Sequence, residues 1–394
     1  MGERPPQPVL GVGMAGYAFM GAAHAQAWRT APHVFSLPCR PVLTALCGRD
    51  PAATAAAARR YGFHSTETDW RTLLDRDDVH LIDVCTPGAS HAEIAIAALD
   101  AGKHVLCEKP LANTVAEAEA MAAAAGRARA RGIRAMTGFN YRRVPAIALA
   151  RQLAGGGRIG AIRHVRAGYL QDWLTDPAFP LTWRLRRDQA GSGALGDLGS
   201  HLVDLAQYLT GQLITGVSAQ ATTFITERPL PPAGAGGAQP DRMGAVTVDD
   251  AVVFTARLGA GTLASFEATR FAAGRKNALR IELNGDRGSL AFDLGRLNEL
   301  EFYDRAEDSG TAGFRRVLVT EPGHPYLSAW WPPGHVLGWE HTFVHQAADL
   351  VTAIAGAADP EPSFADGLQV QRVLAAVAGS AARDSEWTPV PAAG

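Results

Sequence analysis

Over the first 140 residues, short apolar runs alternate with stretches of helical periodicity. VLGVG (9–13) leads through GVGMAG (11–16) into a helix reaching about Arg29. PVLTALC (41–47) leads to Asp50 and Pro51, an N-cap and first-turn pair whose helix Gly62 closes. VHLIDVCT (79–86) is a third strand, followed by Ser90 and Glu93 as a capping box and a helix that Gly102 ends. KHVLC (103–107) and IRAMTGF (133–139) flank a helix capped by Thr114 and Glu117 and stopped by Gly132. Strands alternating with helices in this way predict βαβ units and a parallel, doubly wound sheet, which binds ligands at the carboxyl ends of its strands.

The period changes after about residue 160. AIRHVRAGYL (161–170), GVSAQATTFIT (216–226), AVVFTARL (251–258), TLASFEAT (262–269), LRIELN (279–284), GSLAFD (288–293) and LNELEFYD (297–304) read as strands. Tight glycine turns at 259–261 and 284–288 make hairpins of them, hence an antiparallel sheet. AVVFTARL and TLASFEAT carry apolar residues on both faces, the pattern of a sheet covered on both sides. PPAGAGGAQP (231–240) is a surface loop, and a helical tail runs over 339–383 with a break near Asp359 and Pro360. The expected organisation is an α/β Rossmann domain (1–140), then an α+β domain (141–394) with a largely antiparallel open sheet and C-terminal helices.

Composition narrows the partners. The 394 residues include 37 Lys plus Arg against 39 Asp plus Glu, a net charge of −2, so no global field recruits nucleic acid or an anionic membrane. A small molecule is the expected ligand. Four scattered cysteines without a CxxC pair suggest reduced thiols and no zinc site. MGERPPQPVL lacks the apolar core of a signal peptide, Gly2–Pro8 reads as a frayed terminus, and no window is long enough to span a membrane, so a cytoplasmic protein is expected.

Candidate chemistry gathers in two places. In GSGALGDLGSHLVDLAQYLTG (191–211), Leu198, Leu202, Leu205 and Leu209 form a core-facing stripe, and Asp197, His201, Asp204 and Tyr208 form a second one beside it. Asp197 and His201 alone admit two uses, a helix-start pair at a domain border or an acid–base pair. The other place is the strand ends of the first domain. Gly11, Gly13 and Gly16 follow a strand and precede a helix, where bare backbone can approach a pyrophosphate. Gly48 and Arg49 stand where an acidic residue would bond the adenosine 2′-hydroxyl, which makes NADP as admissible as NAD. TPGASH (86–91), EKP (108–110) and GFNYRRVPA (138–146) follow later strands, and Lys109 at a strand's carboxyl end faces the expected nicotinamide.

GVGMAG, TPGASH, CEKP, GFNYRRVPA and GDLGSH, in this order, resemble the glucose–fructose oxidoreductase and inositol dehydrogenase (Gfo/Idh/MocA) family over essentially the whole chain. The resemblance implies a catalytic group of Lys109, Asp197 and His201. It implies a cofactor site of Gly11, Gly13, Met14, Ala15, Gly16, Gly48, Arg49, Thr86, Pro87, His91, Glu108 and Lys109. YLQDW, WRLRRDQAGSGALGD and PSFADG are similar, more narrowly, to a group within the family that oxidises an anhydrosugar. That similarity adds Tyr141, Gln171, Trp173 and Arg184, with Asp197 and His201, as a sugar pocket, and favours NAD. Family members commonly pair through the second-domain sheet, so a homodimer or homotetramer is expected.

The implied reaction is NAD(P)-dependent oxidation of a secondary hydroxyl of a sugar, anhydrosugar or cyclitol to a ketone, with Lys109 or His201 handling the proton and no metal. Two rivals remain at this level, a keto-sugar reductase and a non-catalytic dinucleotide-binding regulator. His341 and His345, four apart on a helix, read as a packed hydrogen-bonded pair. Trp330, Trp331 and Trp339 read as core or subunit contacts.

Overall fold

The computed structural model describes residues 7–231, 242–259 and 261–391. Gly2–Pro6, most of the expected loop at 231–240 and Ala260 of the expected 259–261 turn lie outside these residues. The chain divides into two compact units. The first comprises 1–112, 116–143 and 338–368, and the second 113–115, 144–337 and 369–394.

In the first unit, β1 (Val9–Ala15), β2 (Arg40–Cys47), β3 (Ser65–Glu67), β4 (Leu81–Val84), β5 (His104–Cys107) and β6 (Ala135–Thr137) form one parallel sheet in the order β3-β2-β1-β4-β5-β6. This is the doubly wound order with its reversal beside β1. The helices are α1 (Phe19–Val34), α2 (Pro51–Tyr61), the single turn α3 (Arg71–Leu74), α4 (His91–Asp100) and α5 (Val115–Arg129). Asp50 caps α2 as its sequence predicts, its carboxylate accepting from Ala53 N at 3.0 Å, and Gly62 ends it at φ 86°. The capping box at Ser90 does not form. A short 3-10 turn (Gly88–Ser90) precedes α4, and the Ser90 hydroxyl bonds Thr86 Oγ1 at 2.8 Å and Pro87 O at 2.9 Å, while Glu93 pairs with Arg71.

A single cut after residue 140 differs from this division. The segment 338–368 returns to the first unit because α9 (His341–Ala355) packs on α1, with Phe343 buried and its ring 5.4 Å from that of His24.

In the second unit, β7 (Ile162–Leu170), β8 (Ile214–Thr222), β11 (Ala251–Leu258), β12 (Thr262–Thr269), β13 (Ala278–Gly285), β14 (Gly288–Asp293), β15 (Glu299–Asp304), β16 (Arg315–Leu318) and β17 (Thr388–Pro389) build one sheet. Its order is β16-β15-β14-β13-β7-β12-β11-β8-β17, antiparallel except where β7 runs parallel to β12. A separate ribbon pairs β9 (Glu227–Pro229) with β10 (Met243–Ala245). α6 (Pro145–Gly155) and α8 (Ser200–Thr210) pack together, α7 (Arg187–Ala190) is one turn, and α10 spans Phe364–Ala381, of which the part from Gln369 belongs to this unit.

The apolar pattern on both faces of β11 and β12 resolves differently from its expectation. Both strands alternate cleanly, with Phe254 and Phe266 stacked on the buried face at 4.6 Å. The outer face mixes Val253 and Leu263 with charges, including an Arg166–Glu282 pair at 2.8 Å and an Arg280–Asp293 pair at 2.7 Å.

Candidate active site

The strand-to-helix turn of the first unit lies later than the GVGMAG reading put it. β1 runs to Ala15, so Gly11, Gly13, Met14 and Ala15 are strand residues, and all four are buried. Gly11 and Gly13 are demanded by packing. A Cβ on Gly11 would stand 1.8 Å from Asp78 O, and one on Gly13 would stand 2.9 Å from Val79 Cγ1. Gly16 makes the turn at φ 98°, Ala18 is exposed at the N-cap of α1, and Gly21 packs so closely that a Cβ would lie 2.4 Å from Gly16 O. Tight turn, small residue at the approach and close helix–strand packing are the three roles of a dinucleotide fingerprint, here Gly16, Ala18 and Gly21. Alanine at the middle position hides that spacing from a search for GxGxxG. No side chain caps α1, which leaves first-turn amides for an anion.

At the end of β2 a Cβ on Gly48 would meet the Tyr17 ring at 2.1 Å and Thr54 Oγ1 at 2.5 Å, so no carboxylate fits at that position. Arg49 is exposed, and Asp50 is committed to capping α2. Two later loops are stitched by His91, whose Nε2 lies 2.9 Å from Thr86 O and Nδ1 3.0 Å from Pro110 O. Thr86, Pro87 and Lys109 are half-buried beside it.

Glu108 turns inward, 4 % exposed, with one oxygen 3.0 Å from His24 Nε2 and the other accepting from Lys109 N at 3.2 Å. His24 Nδ1 meets Asp83 at 2.9 Å, and Trp28 Nε1 donates to Asp83 at 2.7 Å. Burial opposes a charge on His24, yet the charge and hydrogen bond of Asp83, together with those of Cys85, raise the imidazole well above its ordinary range. Sequence reading missed His24 and Asp83 because a buried ion pair has no local signature. Tyr141 is buried in the turn Asn140–Arg143, and the neighbouring Asn140 donates to Thr342 Oγ1 at 2.8 Å.

In the second unit the segment with Asp197 and His201 opens as a π-helical turn (Leu195–Gly199) that runs into α8, a local irregularity frequent at functional sites. Leu198, Leu202, Leu205 and Leu209 are buried as their stripe requires, and His201 is 6 % exposed. Asp249 caps this segment from a distant loop. Its carboxylate accepts from Gly193 N and Leu195 N, both at 2.7 Å, and its carbonyl accepts from Ala194 N at 3.1 Å. A Cβ on Gly193 would lie 1.7 Å from Asp249 O, which explains the glycine.

Beside this helix stands a polar and aromatic wall. The Tyr169 ring lies 5.9 Å from His201, and its hydroxyl donates to Asn277 at 2.7 Å. Gln171 donates to the same oxygen at 2.7 Å and accepts from Trp173 Nε1 at 2.8 Å. Arg184 lies over Trp183, 4.5 Å from the ring centre. Within this unit the structure therefore joins Gln171 to Trp173 directly, and Asn277 and Asp249 are additions that sequence reading did not supply. His345 bonds Arg143 O at 2.9 Å, and His341 accepts from Gly338 N at 3.0 Å, so each histidine of that pair has its own backbone partner.

Comparison with known proteins agrees with this fold. Residues 10–135 match the oxidoreductase family with an NAD-binding Rossmann fold, and residues 147–291 match the GFO/IDH/MocA C-terminal domain. Levoglucosan dehydrogenase of Pseudarthrobacter phenanthrenivorans is 44% identical over 391 residues, 97% of this chain and 98% of that one. An oxidoreductase domain protein from Kribbella flavida superposes with a TM-score of 0.94 at 65% identity, covering 98% of this chain and 100% of the other. A levoglucosan dehydrogenase in complex with NADH and levoglucosan superposes at 0.91 with 43% identity and the same coverage. The chain belongs to the Gfo/Idh/MocA family of oxidoreductases, with an NAD-binding Rossmann domain followed by the family's C-terminal domain.

Proposed function

We propose that the protein oxidises a secondary hydroxyl of an anhydrosugar of the levoglucosan type to the ketone, with NAD as acceptor. The observation that carries this reading is the full-length similarity to levoglucosan dehydrogenase, and Lys109 in EKP with Asp197 and His201 in GDLGSH, the stretches that resemble the family's, support it.

A bound NAD would supply the acceptor for the hydride of the carbinol carbon. The turn at Gly16 and Ala18 and the uncapped start of α1 suit its pyrophosphate. His201 takes the hydroxyl proton as the hydride leaves the carbinol carbon. Lys109 stabilises the developing alkoxide, held in place through its backbone bond to Glu108. Asp197 orients the imidazole or bonds a neighbouring hydroxyl. Trp173 offers a flat face to the pyranose, and Gln171, Arg184 and Tyr141 meet its hydroxyls.

No helix among the described residues is long and apolar enough to cross a membrane. The four cysteines are free and buried, which supports the reading of a cytoplasmic enzyme. A screen of anhydrosugars, aldoses, ketoses and inositols, followed by NADH and NADPH absorbance, tests the proposal. Turnover of levoglucosan or a close analogue with NAD is expected, and activity confined to inositols or to keto-sugar reduction refutes it.

A further inference from the structure

The second unit buries two arginines almost completely, Arg228 at 0 % and Arg270 at 1 % exposure. Desolvating a guanidinium is costly unless its donors are used, so each must hold something in place. Arg228 donates from Nη1 to the carbonyls of Asp176 at 2.7 Å and Phe179 at 3.4 Å, and from Nη2 to that of Leu174 at 2.6 Å. It fastens the loop that follows Trp173.

Arg270 reaches two different structures. Its guanidinium lies over Trp173, 5.3 Å from the ring centre, and Nη2 donates to Asp249 O at 3.1 Å. Asp249 is the residue whose carboxylate and carbonyl accept the amides of Gly193, Ala194 and Leu195. Arg270 Nε meets no acceptor among the described residues, so hydrogen bonding alone does not account for a buried cation. Burial pulls its pKa down, and the charges of Asp197, Asp249 and Asp250 oppose that pull. Arg184 and Arg228 act with the opposite sign.

We propose that Arg270 is a positioning residue that ties the aromatic surface for the sugar to the helix carrying Asp197 and His201. The inference rests on the reading of Trp173 as the sugar's stacking surface and of Asp197 and His201 as reacting groups. Only a planar, permanently charged fork can stack on an indole while donating sideways to a carbonyl. A sugar that settles on Trp173 is thereby registered against the start of the catalytic helix.

Hydrogen–deuterium exchange on the free protein reads this link without substrate. Arg270→Met is expected to quicken exchange about tenfold in two separate stretches, 171–175 and 193–201, by local opening. Arg228→Met is expected to quicken 174–181 and leave 193–201 unchanged. Arg270→Lys keeps the charge, so it should restore 193–201 but not 171–175, and it serves where the methionine variant fails to fold. Loosening confined to one stretch in Arg270→Met, or loosening of both in Arg228→Met, overturns the proposal.

Kinetics provide the second readout. Arg270→Met should raise the sugar KM roughly tenfold with the NAD KM unchanged, and Trp173→Ala should cost far less in that background than in the wild type. Additive losses overturn the link. A wild type that oxidises no sugar refutes the functional reading instead, and the exchange measurement still decides the role of Arg270.

Discussion

Nε2 of His24 lies 3.0 Å from Oε1 of Glu108, both side chains are buried, and the bond joins the first helix to the residue before Lys109. With Asp83 on the other ring nitrogen, the imidazole sits between two carboxylates, and the Asp83 charge favours its protonated form. Replacing Glu108 by Gln keeps the size and removes one charge. We expect about 1–3 kcal/mol lower stability in urea unfolding, because a buried charged partner is left less well satisfied. We also expect a fall in kcat of roughly tenfold from misplacement of the catalytic group. Unchanged kcat in a stable Glu108→Gln enzyme would show that the network does not govern Lys109.

Opposite pH behaviour is expected from two neutral histidines. Burial lowers His345 to about 3, and burial with the Arg134 charge lowers His104 to about 4. The unfolded chain therefore binds more protons below pH 6.5, so stability falls as pH drops from 6.5 toward these values, by about 1.4 kcal/mol per pH unit for buried His345 and less for half-buried His104. His24 has the reverse sign. Its raised pKa contributes stability that is complete below 6.5 and lost as pH rises through the folded value. Urea midpoints between pH 4 and 7 should show a shallower slope for His345→Gln than for the wild type, and an equal slope would discount the histidine.

The main strands were legible because buried strands leave long apolar or alternating runs, as at PVLTALC and TLASFEAT. Strands without that signal were not. Ser65–Glu67 is a polar edge, and Thr388–Pro389 is defined only by its pairing with β8. The π-helical turn at Leu195–Gly199 and the cap from Asp249 depend on a contact more than fifty residues away in sequence, beyond any local pattern. The glycine fingerprint failed for a simpler reason. Gly11 and Gly13 satisfy the spelling of the motif while serving strand packing, and the turn that suits a pyrophosphate carries alanine in the middle.

The catalytic assignment predicts that Lys109→Ala and His201→Ala each lower kcat by roughly 10²-fold or more, in line with lost acid–base and electrostatic stabilisation. Cofactor affinity should survive in His201→Ala, as NADH fluorescence titration would report. Near-wild-type turnover in both variants removes the assignment.

Cofactor choice turns on Arg49. With Gly48 too close to Tyr17 for any side chain, the exposed guanidinium is the charged group next to the end of β2 on the helix side that Asp50 opens. If it reads a 2′-phosphate, Arg49→Ala weakens NADP by roughly 10- to 100-fold and leaves NAD unchanged, since charge-assisted bonds disappear only with the phosphate. The similarity to an NADH-binding relative leads us to expect strong preference for NAD in the wild type, with a measurable residue of NADP activity that this substitution abolishes. Equal loss with both cofactors would mean that Arg49 supports the fold rather than the phosphate.

Assembly is the remaining expectation, a homodimer or homotetramer through the nine-stranded sheet. Its outer face is not the apolar surface that the strand sequences suggested, since Val253 and Leu263, 56 % and 49 % exposed, stand among Arg166, Arg257, Arg280 and Glu282. Val253 stands opposite Glu267 and Leu263 opposite Arg257, four positions apart along β11, so the two apolar side chains are separate spots among charges, and in a two-fold pair each arginine can meet the other copy's glutamate. Gly168 opposite Arg280 and Glu267 leaves a shallow place at the middle of the sheet for a partner's side chain. Placing charges at both exposed apolar positions, Val253→Glu with Leu263→Glu, should convert the oligomer to monomers without lowering the unfolding midpoint of the isolated chain, because both side chains already face outward. Light scattering at micromolar concentration decides it: a wild type that runs as a monomer, or a double variant that keeps the wild-type mass, would place the subunit contact elsewhere or nowhere.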